Sequence, residues 1–213
     1  MSGQLKCLIL GATGQTGRHL LTSLLADSSI SQVTEAGRRS AIESGIIALG
    51  TTRKNAGSAE RFEAIDRGFP ILFAKLARTS GKFQTLVYLS SAGASPNSPF
   101  LYLKSKGLTE LELSSLGYDQ TIIFRPGALA NSTRSETRIA ESITLKFTGL
   151  ASYVTDSVQI PVSTLGLAMS KAGILGYSGL ERHGVGSKVV GKDGQIFWVV
   201  GNADAIKLAK LDA

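Results

Sequence analysis

Tyr102 and Lys106 stand four residues apart, and Ser91 lies eleven residues before the tyrosine. On a helix, positions i and i+4 share a face. A lysine ammonium beside a phenol favours the phenolate by charge pairing, which lowers the tyrosine pKa. A tyrosine tuned this way gives a proton to a substrate oxygen, or takes one, while hydride moves at carbon. Ser91 follows the strand-like run Thr85–Leu89 and could hold that oxygen. Lys104, two residues from Tyr102, faces elsewhere. A Tyr and a Lys also decorate many helices by chance, so the group gains meaning only from the elements around it.

The second chemical feature is the run Gly11-Ala12-Thr13-Gly14-Gln15-Thr16-Gly17. It follows the apolar strand Leu5–Leu10 and opens an amphipathic helix, Gly17–Ala26, which is the setting a dinucleotide loop requires. Glycines there permit a tight turn, close approach of backbone to a pyrophosphate and close helix–strand packing. The helix-terminal N–H groups then face the anion. Gly11, Thr13, Gly14, Gln15, Thr16 and Gly17 are the candidate phosphate-binding positions. The bland alternative is a glycine-rich turn with no ligand. At the end of the second strand, Ser31–Ala36, stand Arg38 and Arg39. Arginine at that place pairs with a 2′-phosphate, which favours NADP(H). Glu35 keeps NAD(H) open, because an acid there would bind the ribose hydroxyls.

The rest of the chain alternates strand and helix. Gly45–Gly50 is a short apolar run. Ser58–Ser80 has helical spacing through Phe62, Ile65, Phe69, Leu72, Phe73 and Leu76, with Pro70 expected to bend it. Thr85–Leu89 and Thr121–Phe124 read as strands, and Leu101–Ser115 as a helix with Gly117 at its C-terminal cap. Ser163–Leu175 reads as a helix, Ser178–Gly194 as a loop, Gln195–Val200 as a strand and Ala203–Leu211 as a final helix. This alternation predicts a single α/β domain over 1–213, Rossmann-like and doubly wound on a mostly parallel sheet. Residues 128–213 are expected to supply the substrate side.

Composition narrows the function classes. A single cysteine, Cys7, excludes a disulfide framework and a Cys-based zinc site, and two histidines, His19 and His183, make no His-rich centre, so no metal is expected. No apolar run reaches the length of a membrane span, and the N-terminus shows no signal-peptide pattern. The expected setting is therefore cytosol-facing, either free or peripheral to a membrane. The net charge of +7 is spread along the chain without interleaved aromatics. It therefore reads as a solvated basic surface, with no nucleic acid expected as partner.

Taken with the strand-end run Leu89-Ser90-Ser91-Ala92-Gly93-Ala94 and with Phe124-Arg125-Pro126-Gly127, these motifs resemble the short-chain dehydrogenase/reductase superfamily in its atypical or extended branch. Leu49-Gly50-Thr51-Thr52-Arg53 and Phe100-Leu101-Tyr102-Leu103 look like the family of the human Tat-interacting oxidoreductase and its fungal relatives of the mitochondrial outer membrane. The resemblance spans most of Leu5–Gly176. It implies NADP(H) binding, with Ser91, Tyr102 and Lys106 as the catalytic group and Lys106 also bonding the nicotinamide ribose. It implies that Thr51 and Thr52 contact the cofactor and that Arg125, Pro126 and Gly127 line the nicotinamide side. It also implies a peripheral place on the mitochondrial outer membrane.

One stretch departs from that pattern. Only Ser40–Ser44 separate Arg39 from Gly45, whereas the usual fold inserts a helix and a strand there, and such a unit takes about 30 residues. Passing from the second strand across the first needs ~20 Å in a straight line. Six extended residues reach at most ~20 Å, and the path must also climb over side chains or a helix, so the link reads as too tight for the usual order. A lost third strand, a displaced fourth strand and a second strand moved to the edge are the three explanations. The first is favoured because the motifs match on both sides of the break. The expected consequence is a weakened adenine pocket and an exposed strand edge.

The leading expectation is hydride transfer between NADP(H) and a small carbonyl or alcohol substrate. The rival is a non-catalytic NADPH-binding regulator that acts on a protein partner.

Overall fold

The computed structural model describes residues 5–35, 44–51, 53–130, 159–191 and 193–211. Arg38, Arg39 and Thr52 fall outside them. Along the chain run β1 (Leu5–Leu10), α1 (Gln15–Ala26), β2 (Ile30–Glu35), β3 (Ser44–Ile47) and α2 (Arg53–Ala56). There follow α3 (Ala59–Glu63), a π-helical turn (Ala64–Gly68), α4 (Phe69–Ala77), β4 (Thr85–Leu89), α5 (Leu101–Ser114) and β5 (Gln120–Arg125). The chain then forms β6 (Ala128–Ala130), β7 (Gln159–Pro161), α6 (Val162–Arg182), β8 (Ser187–Val190), β9 (Ile196–Gly201) and α7 (Asn202–Ala209).

Seven strands form one sheet in the order β2-β1-β3-β4-β5-β9-β8. Every pairing is parallel except β8 with β9. Side chains alternate across it, as strand geometry requires. Val87, Ile122 and Phe124 pack on one face with Leu20 and Leu24 of α1 and Leu165 and Met169 of α6. Leu86, Tyr88 and Ile123 pack on the other with Ile71 and Ala74 of α4 and Leu113 of α5. Helices thus cover both faces, which is the doubly wound arrangement. Each fully buried Leu, Ile or Phe contributes about 2 kcal/mol by leaving water.

β3 lies between β1 and β4, so the displaced fourth strand is not what the chain does. β2 pairs with β1 and forms the sheet's edge. This is the usual order without its outermost strand. The expectation that the link is too tight needs correction. β2 ends at Glu35 and β3 begins at Ser44, so nine peptide steps join them. These span about 30 Å when extended, enough for a ~20 Å crossing. The joining residues 36–43 lie outside the described ones.

The helix expected over Ser58–Ser80 forms with a local change of pitch. Pro70 sits in the first turn of α4 and has no N–H to give the preceding turn. The chain widens there into the π turn, with the Phe69 N–H donating to the Ala64 carbonyl five residues back. The buried face of α4 is Pro70, Ile71, Ala74 and Ala77. The larger Phe69, Leu72 and Leu76 point outward, Leu76 being 74% exposed.

Three further differences concern the C-terminal half. The predicted loop Ser178–Gly194 instead contains the end of α6 and the strand β8. α6 continues past Leu175 through Gly176, which adopts a left-handed φ of 61°. Tyr177 secures that kink, its hydroxyl bonding the Thr121 amide and carbonyl. The two-stranded pairing of β6 with β7 had no periodic signal, because three-residue strands are too short to show one.

Candidate functional site

Because β1, β3, β4 and β5 are parallel, their C-terminal ends meet along one sheet edge, where ligands bind in open α/β folds. The ends of these four strands, the loops after them and the helices α1 and α5 carry the described candidates.

The turn after β1 is shaped by its glycines. Gly11 has φ 91°, and a Cβ there would lie 2.9 Å from the backbone of Ala48 and Leu49. A Cβ on Gly17 would overlap the Gly11 carbonyl oxygen. The turn closes with the Gly14 N–H donating to that same oxygen (2.9 Å). Gly14 caps α1 with no side-chain hydrogen bond, and no acid stands in the first turn. The N–H groups of a helix start with no carboxylate beside them form a place for an anion. Thr13 is exposed and Gln15 half-buried at its rim, while Thr16 is buried. The residues present therefore fit a dinucleotide pyrophosphate.

Lys106 is the centre of the second cluster. It is 3% exposed, and its Nζ donates to the Tyr88 hydroxyl (3.1 Å) and the Leu89 carbonyl (3.2 Å). It also lies 3.4 Å from Asp66 Oδ2. That is ion-pair range without hydrogen-bond geometry, and no described residue gives Oδ2 a hydrogen bond. The other oxygen, Asp66 Oδ1, accepts from the Thr51 amide (3.3 Å). Burial works against the Lys106 charge, but the Tyr88 hydroxyl, Asp66 and Tyr102 outweigh it and hold the ammonium above the ordinary lysine range. Burial pushes the Tyr88 phenol up to about 12 despite Lys106 beside it, so this hydroxyl is neutral across the physiological range.

Tyr102 lies one turn before Lys106 on α5, half-buried, with its ring 6.2 Å from that of Phe62. Tyr102 and Lys106 interact electrostatically. Lys104 is exposed on another side of the helix, as its spacing predicts. Ser91 is half-buried at the end of β4, its hydroxyl donating to the Ala92 carbonyl (3.3 Å).

The loop after β5 is tied to this cluster. The Ala92 N–H donates to the Pro126 carbonyl (2.8 Å), and the Gly127 N–H donates to Asn202 Oδ1 (3.0 Å). Arg125 gives its guanidinium to Glu110, and Ser90 donates to the same carboxylate. The expected cofactor-lining arginine is thus bound first of all to an acid on α5.

Sequence reasoning missed Asp66, Tyr88, Ser90 and Glu110. Two of them carried a signal. Leu103, Lys106, Glu110 and Leu113 form one helical stripe, and Asp66 follows Phe62 by four residues. A charge on an otherwise apolar face is seldom buried without a partner. Among the described residues no His, Cys, Asp and Glu group could hold a metal, and no helix is long and apolar enough to cross a membrane.

No family model matches the chain, but individual relatives do. It is 31% identical over 235 positions to the protein fmp52-1, mitochondrial, of Aspergillus terreus, covering 95% of this chain and 97% of the relative. It is 34% identical to the protein HTATIP2 of Rattus norvegicus, covering 76% and 78%. It is 41% identical to the protein FMP52, mitochondrial, of Candida albicans, over 56% of this chain and 52% of that one. The A. terreus alignment runs over 235 positions, yet 95% of 213 residues is nearer 202, so about thirty have no counterpart here, the size of a strand–helix unit.

Solved structures agree on the fold. The reductase domain of PhqB from Penicillium fellutanum superposes with a TM-score of 0.59 at 15% identity, over 82% of this chain and 65% of that one. RMD from Pseudomonas aeruginosa, solved with NADPH, gives 0.57 at 16%, over 79% and 71%. A putative NAD-dependent epimerase/dehydratase from Bacillus halodurans gives 0.55 at 16%, over 97% and 99%. With this Rossmann-like scaffold and relatives matched over most of both chains, the protein belongs to the FMP52/HTATIP2 family.

Proposed function

We propose that this chain binds NADP(H) and transfers hydride between the nicotinamide and a small carbonyl or alcohol substrate. The observation that carries this reading is the continuity of the site. Gly11 packs on the backbone at Ala48 and Leu49, and at the very next residue a Cβ on Gly50 would lie 3.3 Å from Asp66 Oδ1 and 3.6 Å from Lys106 Nζ. The phosphate turn and the charged lysine are thus linked through one short loop along the sheet edge.

In this reading Gly11, Thr13, Gly14, Gln15, Thr16 and Gly17 hold the pyrophosphate, and Thr51 and Thr52 the nicotinamide half. Arg38 and Arg39 take the 2′-phosphate. The nicotinamide supplies or accepts the hydride. In the reducing direction the Tyr102 hydroxyl donates its proton to the developing alkoxide. The Lys106 ammonium stabilises the phenolate left behind. Ser91 hydrogen-bonds the carbonyl oxygen and orients it. Arg125 braces the loop carrying Pro126 and Gly127, which lines the nicotinamide side.

The names of the fungal relatives place them in mitochondria. We extend that location to this chain, as a peripheral protein of the outer membrane facing the cytosol. Protease protection of isolated mitochondria tests it, since a cytosol-facing protein is digested while the outer membrane is intact.

Thermal melting with and without NADPH tests the binding. A ligand that binds only the native state raises its apparent stability by mass action. A concentration-dependent rise in Tm is expected, larger for NADPH than for NADH. No rise at millimolar NADPH would overturn the reading.

A further inference from the structure

The acid at position 66 belongs to no motif of the sequence, yet it is the most completely buried charged side chain among the described residues, at 0% exposure. It sits in the middle of the π turn, a local distortion that recurs at functional sites. There the widened turn carries one carboxylate to two separate parts of the site. Oδ1 accepts from the Thr51 amide and Oδ2 faces Lys106 Nζ. Gly50 has no side chain to come between them.

We infer that Asp66 is a positioning residue, which fastens the loop after β3 and the ammonium of Lys106 to one carboxylate so that the cofactor-side loop and the proton-transfer helix are set as a unit. This rests on the hydride-transfer reading for its purpose, while the two contacts stand without it.

A bland account makes Asp66 the counter-ion of a buried lysine and nothing more. That account leaves the Thr51 bond without a role and does not require the carboxylate to sit on a distorted turn. The groups facing Lys106 are Tyr88 from β4, Asp66 from the π turn and Tyr102 from its own helix. Tyr88 stays neutral, so Asp66 is the counter-charge. Without it, the hydrogen bonds to the Tyr88 hydroxyl and the Leu89 carbonyl remain, but no carboxylate offsets the desolvation of the lysine.

The test follows the side-chain nitrogen of Lys106 by NMR in lysine-labelled protein, assigned with Lys106→Met. In the unaltered chain Lys106 should show no inflection up to about pH 10, as expected of an ion-paired lysine. In Asp66→Asn it should titrate below the ordinary lysine value, by about one pH unit or more. Asp66→Glu, which restores the charge, should move it back up. Hydrogen exchange reads the loop: in Asp66→Ala the Thr51 amide should exchange about tenfold faster or more, as a local opening made easier.

An unshifted Lys106 in folded Asp66→Asn, or unchanged exchange at Thr51 in Asp66→Ala, overturns the proposal. If these variants do not fold, the unaltered chain still decides: an inflection of Lys106 below the ordinary lysine value of about 10.4 overturns it. None of these readings uses NADPH. Failure of the chain to bind NADPH would therefore remove the functional reading and leave the role of Asp66 to be judged on its own data.

Discussion

Arg125 grips Glu110 with two hydrogen bonds, Nε to Oε1 at 3.0 Å and a terminal nitrogen to Oε2 at 2.5 Å. The acid is 2% exposed, and the arginine ends β5 just before Pro126 and Gly127. The pair therefore fixes the strand-end loop to α5, the helix that carries Tyr102 and Lys106. Replacing Arg125 by Met leaves a buried carboxylate with Ser90 as its remaining hydrogen-bond partner among the described residues. Loss of about 2 kcal/mol of stability is expected, reduced from the cost of a fully buried pair because the arginine is partly exposed. Urea unfolding of the two proteins measures it. Glu110→Gln, which keeps the shape, should cost less.

The turn after β1, which we propose holds the pyrophosphate, has no room for a methyl group at Gly17, since its Cβ would meet the Gly11 carbonyl oxygen. Gly17→Ala must move backbone on one side or the other. A destabilisation of about 2 kcal/mol is expected for such overpacking, together with loss of the NADPH-dependent rise in Tm. Retention of that rise in Gly17→Ala would mean that the nucleotide binds elsewhere.

Tyr102→Phe separates catalysis from binding. The phenylalanine keeps the ring contact with Phe62 and removes the proton donor. Carbonyl reduction should fall by about 100-fold or more, while the NADPH-dependent shift in Tm stays. If the cellular role survives Tyr102→Phe but fails with Gly14→Val, the chain acts as a nucleotide-binding regulator and not through turnover.

The alkaline limb of stability should be set largely by buried phenols. Tyr88 is raised by burial to about 12 in the folded state, above the usual tyrosine value, and Tyr118 is raised in the same direction by burial. A raised folded pKa means that the unfolded chain releases its proton first. The stability is therefore fully present below about pH 10 and is lost as pH rises toward 12, by about 3 kcal/mol for Tyr88 alone. Lys106, also raised, adds to the loss with the same sign. Tm measured from pH 8 to 12 by Trp198 fluorescence should be flat at first and fall above about pH 10. A flat profile throughout would contradict the burial of Tyr88.

The elements that announced themselves were those whose burial is periodic along the chain. β4 forms over Thr85–Leu89 as its unbroken apolar run predicts, and α5 begins at Leu101 as expected. The turn from Gly11 to Gly17 was legible because its glycines are required by contacts within a few residues. Phe69, Leu72 and Leu76 signalled a helix, and it forms, but they point outward, because spacing reports a shared face and not which face the sheet covers. β8 was hidden in a glycine-rich stretch because its stability comes from pairing with β9, a partner set by the tertiary arrangement.

By itself, the sequence determined the alternating α/β pattern, the glycine turn from Gly11 to Gly17 and the placing of Tyr102 and Lys106 on one helix face. All of these follow from local periodicity and backbone sterics. Only the tertiary structure decided what Lys106 touches. Tyr88 is 18 residues from it in sequence and Asp66 is 40 residues away, and neither spacing implies contact. Parallel strand order brings β3, β4 and β5 to a common edge, and the π turn rotates one carboxylate into the gap between them. The same order decided the fate of the short link, placing β3 beside β1 and leaving β2 as the edge strand.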